Sequence, residues 1–97
     1  MPQASRRYTE TVRSFELIFG VSQDHRLVQV RSRSRAGVLM ADYWSHNEYD
    51  PFNRLVARYE SFDEWNPRTG VHRSGWHRYD EAGRLTATGE SLGLHDD

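Results

Sequence analysis

The most distinctive chemical feature of the sequence is a row of alternating arginine and serine residues that begins at Arg31 and ends at Arg35. In a β-strand, alternate side chains point to the same face about 7 Å apart, so Arg31, Arg33 and Arg35 form one line of positive charge. This spacing suits the carboxylates of an acidic protein or the phosphates of a nucleic acid. The structural alternative is that arginines guard an exposed sheet edge against aggregation. We expect the intervening serines to face the other way, with Val28 and Val30.

Twelve aromatic residues form a second group that could bind a partner. In a small domain, large rings fill the core. Tryptophan, tyrosine and arginine are also favoured anchors at protein interfaces, and aromatic side chains line ligand cavities. Besides the three arginines, the predicted binding surface comprises Tyr43, Trp44, Tyr59, Trp65 and Trp76.

Residues suited to catalysis or metal binding are sparse. His46 and Glu48 share a predicted strand face and could supply two metal ligands, but His72 and His77 point to opposite faces. The chain has no glycine-rich phosphate loop, no serine nucleophile elbow and no His-Glu-x-x-His motif. The absence of cysteine excludes disulfides, thiolate metal sites and cysteine catalysis. We predict no cofactor, metal site or catalytic residue; a small hydrolase or isomerase would need a pocket holding Asp, Glu or His.

Charge is distributed unevenly along the chain. The net charge is −1, and all thirteen basic residues are arginine. Residues 1–40 carry seven arginines and three acids, whereas residues 41–97 carry six arginines and eleven acids. A dipolar surface of this kind can steer a partner or bring two copies together. No apolar run reaches the length of a membrane span and no leader is apparent, so we expect a soluble, cytoplasmic protein without a membrane partner.

The apolar pattern that must position these residues has a period of two, with glycine and proline between the runs. It predicts a single mainly β domain over residues 1–97, with flexible termini at about 1–7 and 93–97. The predicted architecture is an antiparallel up-and-down meander of about six strands, forming a curved sheet or a small barrel.

Individual elements follow from local composition. The segment from Val38 to Glu48 is apolar on both faces, which indicates a central strand. Turns are predicted where proline, aspartate, asparagine or glycine interrupts the alternation. They lie at Ala36-Gly37, Asp50–Asn53, Asn66–Gly70 and Asp80–Gly83.

The first segment, from Val12 to Phe19, has two interpretations. Phe15, Leu17 and Phe19 alternate cleanly, which favours a strand. The same stretch also fits a helical stripe that Gly20 would cap, so a short N-terminal helix is the alternative.

Two segments thirty residues apart, Tyr49–Leu55 and Tyr79–Leu85, share the pattern Tyr-Asp-x-x-(Asn/Gly)-Arg-Leu, and Asp24–Leu27 is a shortened third copy. The pattern resembles the YD repeat of Rhs-type and teneurin-type proteins, in which each copy is a β-hairpin of a long spiralling sheet. The shortened copy lacks the tyrosine, Asn53 replaces the glycine, and the copies are too few for a closed shell. The resemblance therefore implies hairpin geometry alone.

The leading functional hypothesis is a non-enzymatic protein-interaction module that uses an arginine and aromatic sheet surface and forms a homodimer. One alternative is a small-ligand-binding β-barrel lined by tryptophan and tyrosine. Another is nucleic-acid binding through Arg31, Arg33 and Arg35.

Overall fold

The structure, a computed structural model, describes residues 15–92. In this part of the chain a short helix, α1 at residues 15–19, precedes five antiparallel strands that follow one another in a single sheet. The predicted mainly β meander is therefore confirmed, as an open sheet rather than a small barrel. The termini predicted to be flexible, 1–7 and 93–97, lie outside the described residues. The strands are β1 (Arg26–Arg35), β2 (Met40–Tyr49), β3 (Leu55–Trp65), β4 (His72–Tyr79) and β5 (Leu85–Gly89).

The N-terminal segment is helical where the structure describes it, so the preferred strand is wrong for residues 15–19. Phe15 and Phe19 are four residues apart and both are buried, whereas Leu17 between them is 77% exposed. Gly20 ends the helix with a φ of 69°, and Val21 N donates to the Glu16 carbonyl at 3.0 Å in a Schellman cap. Residues 12–14 lie outside the described part of the chain. Among residues 15–92, no helix has the length and apolar character needed to cross a membrane.

The turns at Asp50–Asn53 and Asp80–Gly83 are confirmed and have the same bonding. The Oδ1 atom of each aspartate accepts hydrogen bonds of 2.9 Å from the backbone amides two and four residues later. The amide four residues later contributes most to holding the pKa of each carboxyl below its usual value. Asn53 and Gly83 supply the left-handed residue, with φ of 65° and 86°. Asn66–Gly70 is also a turn, closed by a 2.7 Å bond from Gly70 N to the Asn66 carbonyl.

Strand β2 lies between β1 and β3, as its two-sided apolar pattern predicts. It begins at Met40 rather than at Val38, because the connection from β1 occupies residues 36–39 instead of Ala36-Gly37 alone. Val38 is consequently 72% exposed. The first hairpin is thus looser than the two aspartate turns.

The hydrophobic core lies on one face of the sheet, beneath α1. It comprises the buried residues Phe15, Phe19, Ala57, Tyr59 and Leu92. The Phe19 ring stacks on Tyr59 with centroids 4.1 Å apart, so α1 is fixed directly over the middle of β3. Burial of a phenylalanine side chain contributes about 2 kcal/mol, so these two rings hold the short helix to the sheet.

Candidate functional site

The eight residues predicted to form one binding surface lie on two faces of the sheet. Cross-strand partners share a face, so the register assigns every strand residue either to the face under α1, the helix face, or to the opposite, open face. The open face carries Arg31, Arg33, Arg35 and Tyr43, and the helix face carries Trp44, Tyr59, Trp65 and Trp76. The arginines and most of the predicted aromatic residues therefore cannot act as one site.

A β-bulge determines which face the arginines occupy. Val28 pairs with Asn47 and Arg31 pairs with Ser45, two β2 residues that share the open face. The extra residue in β1 is Val30, which shifts the register and reverses the alternation. The expectation that Val28 would face away from the arginines, with the serines, is therefore wrong.

Arg31, Arg33 and Arg35, hereafter the arginine row, follow β1 along one side of the open face. All three are exposed. Among the described residues, no carboxylate forms an ion pair with any of them. The glutamates nearest them on this face are already engaged, since Glu60 pairs with Arg58 at 3.4 Å and Glu64 with Arg73 at 3.5 Å. The arginine row is therefore a charge surplus on the surface.

The two faces of the sheet consequently carry opposite charge. On the described strands, the open face holds six arginines and two glutamates, an excess of four positive charges. The helix face holds three acids and one arginine, an excess of two negative charges. A chain of nearly neutral net charge thus presents one strongly basic face. The open-face charges are Arg26, Arg31, Arg33, Arg35, Arg58, Arg73, Glu60 and Glu64.

Aromatic rings lie beside the arginine row on the open face. Tyr43 and Phe62 are directly opposite each other on β2 and β3, and a shallow groove of about 310 Å³ passes over them. Arg33 lies 5.3 Å from the Tyr43 ring centroid and Arg73 lies 5.6 Å from that of Phe62. Sequence reasoning missed Phe62 and Arg73, because only the strand register places them next to Tyr43.

The helix face holds a chain of buried polar contacts instead of a wholly apolar core. Glu48 is 5% exposed, and its two oxygens contact His25 Nδ1 at 2.5 Å and the Tyr59 hydroxyl at 2.7 Å. The same hydroxyl accepts a 3.2 Å bond from Arg78 Nε. The buried carboxylate is thereby satisfied from two sides, as burial of a charge requires.

Burial keeps two titratable rings on this face, Tyr59 and His46, in their neutral forms. Burial, followed by the bond to Glu48, raises the pKa of Tyr59 to about 12, so its hydroxyl stays protonated at neutral pH. Burial also lowers the pKa of His46 to about 4, which keeps its imidazole neutral between the rings of Phe15 and Phe19. His46 and Glu48 do share a face, as predicted. No cluster of three or more potential metal ligands occurs within residues 15–92.

Trp65 lies apart from the other tryptophans. Trp44 and Trp76 pack against the core, whereas Trp65 is 48% exposed at the end of β3. It lines a cavity of about 720 Å³, hereafter the Trp65 cavity, together with Met40, Asp42 and Asp63. This cavity opens at the end of the sheet away from the two aspartate turns.

Comparison with models of protein families, with curated proteins and with solved structures finds no match to this chain.

Proposed function

We propose that this chain is a non-enzymatic interaction module that binds an acidic segment of another protein across its open face. The observation that carries the proposal is the arginine row. Its three exposed guanidinium groups have no carboxylate partner within residues 15–92, and the two glutamates beside them are already paired. Exposed charges of one sign draw an oppositely charged partner and orient it during the encounter.

The spacing of the arginine row fits an extended partner. Alternate residues of a strand repeat every 7 Å or so, and the same repeat separates carboxylates at alternate positions of an extended acidic segment. Tyr43 and Phe62 provide a flat apolar floor beside the row for intervening side chains. Arginine and tyrosine are residue types that commonly dominate the binding energy of protein interfaces.

A protein segment fits this face better than a nucleic acid does. Glu60 and Glu64 lie in the middle of the open face, as the residues of that face that precede and follow Phe62 along β3. A phosphate chain that crosses the sheet passes over both carboxylates, whereas a protein segment can place a donor against them. Nucleic-acid-binding domains are also commonly basic overall, whereas the net charge here is −1.

The partner is a different chain rather than a second copy. In a two-fold homodimer the same patch meets itself, so a dimer through this face brings two arginine rows together. Like charges across an interface are unfavourable. The expected homodimer therefore does not use the arginine row, and an acidic partner does.

The test uses a fluorescently labelled peptide of alternating glutamate and valine, with an oligothymidylate as the nucleic-acid probe. Binding is measured by fluorescence anisotropy at low and at physiological salt. Each exposed ion pair contributes about 0.5 kcal/mol, so loss of three pairs weakens peptide binding about tenfold. We expect that loss for the triple variant Arg31→Gln, Arg33→Gln, Arg35→Gln.

The matched control is the triple variant Arg54→Gln, Arg68→Gln, Arg84→Gln, which removes three arginines from the turns. It should change the affinity for the peptide by less than about twofold, which is close to the experimental error. Equal losses in both triple variants would reduce the effect to net charge and contradict the proposal. Absence of peptide binding at low salt also contradicts it. If the oligothymidylate binds more tightly than the peptide and the arginine-row variant loses that binding, the ligand of the open face is a nucleic acid and not an acidic protein.

A further inference from the structure

Most strand residues that line the Trp65 cavity belong to the helix face, and Arg35 and Ala41 border it from the open face. Its apolar part is the exposed indole of Trp65 and the side chain of Met40, which are cross-strand partners. Its polar part is the next pair along the same two strands, Asp42 and Asp63. The cavity thus combines an apolar wall with two adjacent carboxylates.

Two carboxylates placed directly opposite each other on neighbouring strands destabilise a sheet unless another group compensates them. Asp63 has such a group, since it contacts His72 on β4. Asp42 accepts a hydrogen bond from the Ser34 hydroxyl at 2.5 Å but pairs with no cation among the described residues. Asp42 is therefore a carboxylate at the cavity wall that forms no ion pair with a described residue.

We propose that the Trp65 cavity binds a small organic cation, a protonated amine carried on an apolar body. The ammonium group pairs with Asp42, and the apolar body lies against Trp65 and Met40. The two pairs of residues are two positions apart on their strands, so about 7 Å separates the charged part of the wall from the apolar part. This distance suits an amine on a short aryl or alkyl arm.

Two further observations support a cation rather than an anion. The indole face of an exposed tryptophan attracts cations through its quadrupole. The helix face as a whole carries an excess of negative charge on its described strands. Arg35 also borders the cavity, but its register assigns its side chain to the open face. This site goes beyond the protein interaction proposed above, and the residues proposed to hold its ligand, Asp42, Trp65 and Met40, all lie on the helix face.

The experiment titrates the full chain with phenethylammonium while two-dimensional NMR follows backbone amides and tryptophan indoles. Phenethyl alcohol, which has the same shape without the charge, is the matched ligand. We expect saturable shifts at the Trp65 indole and at residues 40–42 and 63–65, with the alcohol binding at least about fivefold more weakly.

Variants then locate the charge. Asp42→Asn should weaken phenethylammonium binding about fivefold to tenfold, and Trp65→Leu should weaken both ligands. Glu81→Gln, an exposed acid in the turn before β5, makes the same change of net charge and should have less than about a twofold effect. Preserved spectral dispersion in each variant confirms folding, and Trp65→Leu tests the site independently if Asp42→Asn does not fold.

Three results would overturn the proposal. The first is the absence of saturable shifts at the cavity with phenethylammonium. The second is equal binding of the alcohol and the amine, which would make the cavity a purely apolar pocket. The third is an equal effect of Asp42→Asn and Glu81→Gln, which would reduce recognition to net charge.

Discussion

The hydroxyl of Tyr59 contacts two charged side chains, Glu48 and Arg78. Its removal tests whether the buried polar chain, the hydrogen-bonded series His25, Glu48, Tyr59 and Arg78, stabilises the fold. In Tyr59→Phe, the Glu48 carboxylate loses the 2.7 Å bond and Arg78 loses an acceptor at 3.2 Å. Arg78 also donates to Thr86 Oγ1 at 2.9 Å, so it keeps a partner. Glu48 is 5% exposed, and within the described part of the chain it keeps only its contact with His25.

The expected loss is about 2 kcal/mol in the free energy of unfolding, because a hydrogen bond to a charged group contributes about 1.5–3 kcal/mol. A domain of this size has a total stability of roughly 5–15 kcal/mol, so the loss is a substantial fraction. In Glu48→Gln, the amide oxygen can still accept from Tyr59 but the contact with His25 loses its charge. A double-mutant cycle of the two substitutions should therefore give a coupling energy of about 1 kcal/mol.

Urea unfolding followed by tryptophan fluorescence measures these free energies. The matched control is Tyr43→Phe, whose hydroxyl donates to Glu64 at 3.1 Å on the half-exposed open face. That bond competes with water, so its removal should cost less than about 0.5 kcal/mol. If Tyr59→Phe costs no more than Tyr43→Phe, with equal denaturant slopes, the buried polar chain does not stabilise the fold as described.

Three further predictions concern single residues. The pKa of His46 is about 4 in the folded state against 6.5 in the unfolded state, so protonation favours unfolding: stability is full above pH 6.5, falls by up to about 3 kcal/mol between pH 6.5 and 4, and levels off below 4. His46→Leu should flatten this dependence in urea unfolding measured across that range, and an unchanged slope would contradict it. In Gly89→Ala, the new Cβ would lie 2.1 Å from Trp76 Nε1, so the indole must move. The free energy of unfolding should fall by about 1–3 kcal/mol, and the near-ultraviolet circular dichroism spectrum should change. A variant with parental stability would contradict this packing. Asp80→Ala should lower the melting temperature more at pH 7 than at pH 2. The folded-state pKa of Asp80 is depressed, so its carboxylate stabilises the fold above the unfolded pKa of 3.8, and this stabilisation is lost as pH falls. An equal effect at both pH values would count against the hydrogen bonding described for the turn.

Local chemistry made much of the fold predictable from the sequence. The turns at Asp50–Asn53 and Asp80–Gly83 depend on an aspartate that bonds the backbone ahead of it and on a residue that tolerates positive φ. The interior position of β2 follows from apolar residues on both of its faces. The turn residues and the apolar pattern of β2 both act over a few neighbouring residues, and tertiary contacts did not override either of them. The resemblance of Tyr49–Leu55 and Tyr79–Leu85 to the YD repeat implies hairpin geometry alone, and kinship is not part of the prediction.

The N-terminal segment and the site depended on contacts between distant residues. The alternation of Phe15 and Phe19 favoured a strand over a helical stripe, but the helix places Phe15 against Trp44 and His46 and Phe19 over Tyr59. The face on which the arginine row lies depends on the β-bulge at Val30. No residue type in β1 predicts that bulge. The register that brings Phe62 beside Tyr43 likewise becomes visible only when the strands are paired.

The most direct test of the proposed interaction is a map of where an acidic segment binds. Two-dimensional NMR of the full chain, titrated with the alternating glutamate and valine peptide, provides that map. Saturable shifts should appear along β1 from Arg31 to Arg35 and at Tyr43 and Phe62, with α1 unaffected. Shifts confined to the helix face, or an unchanged spectrum at low salt, would contradict the assignment of the open face as the binding surface.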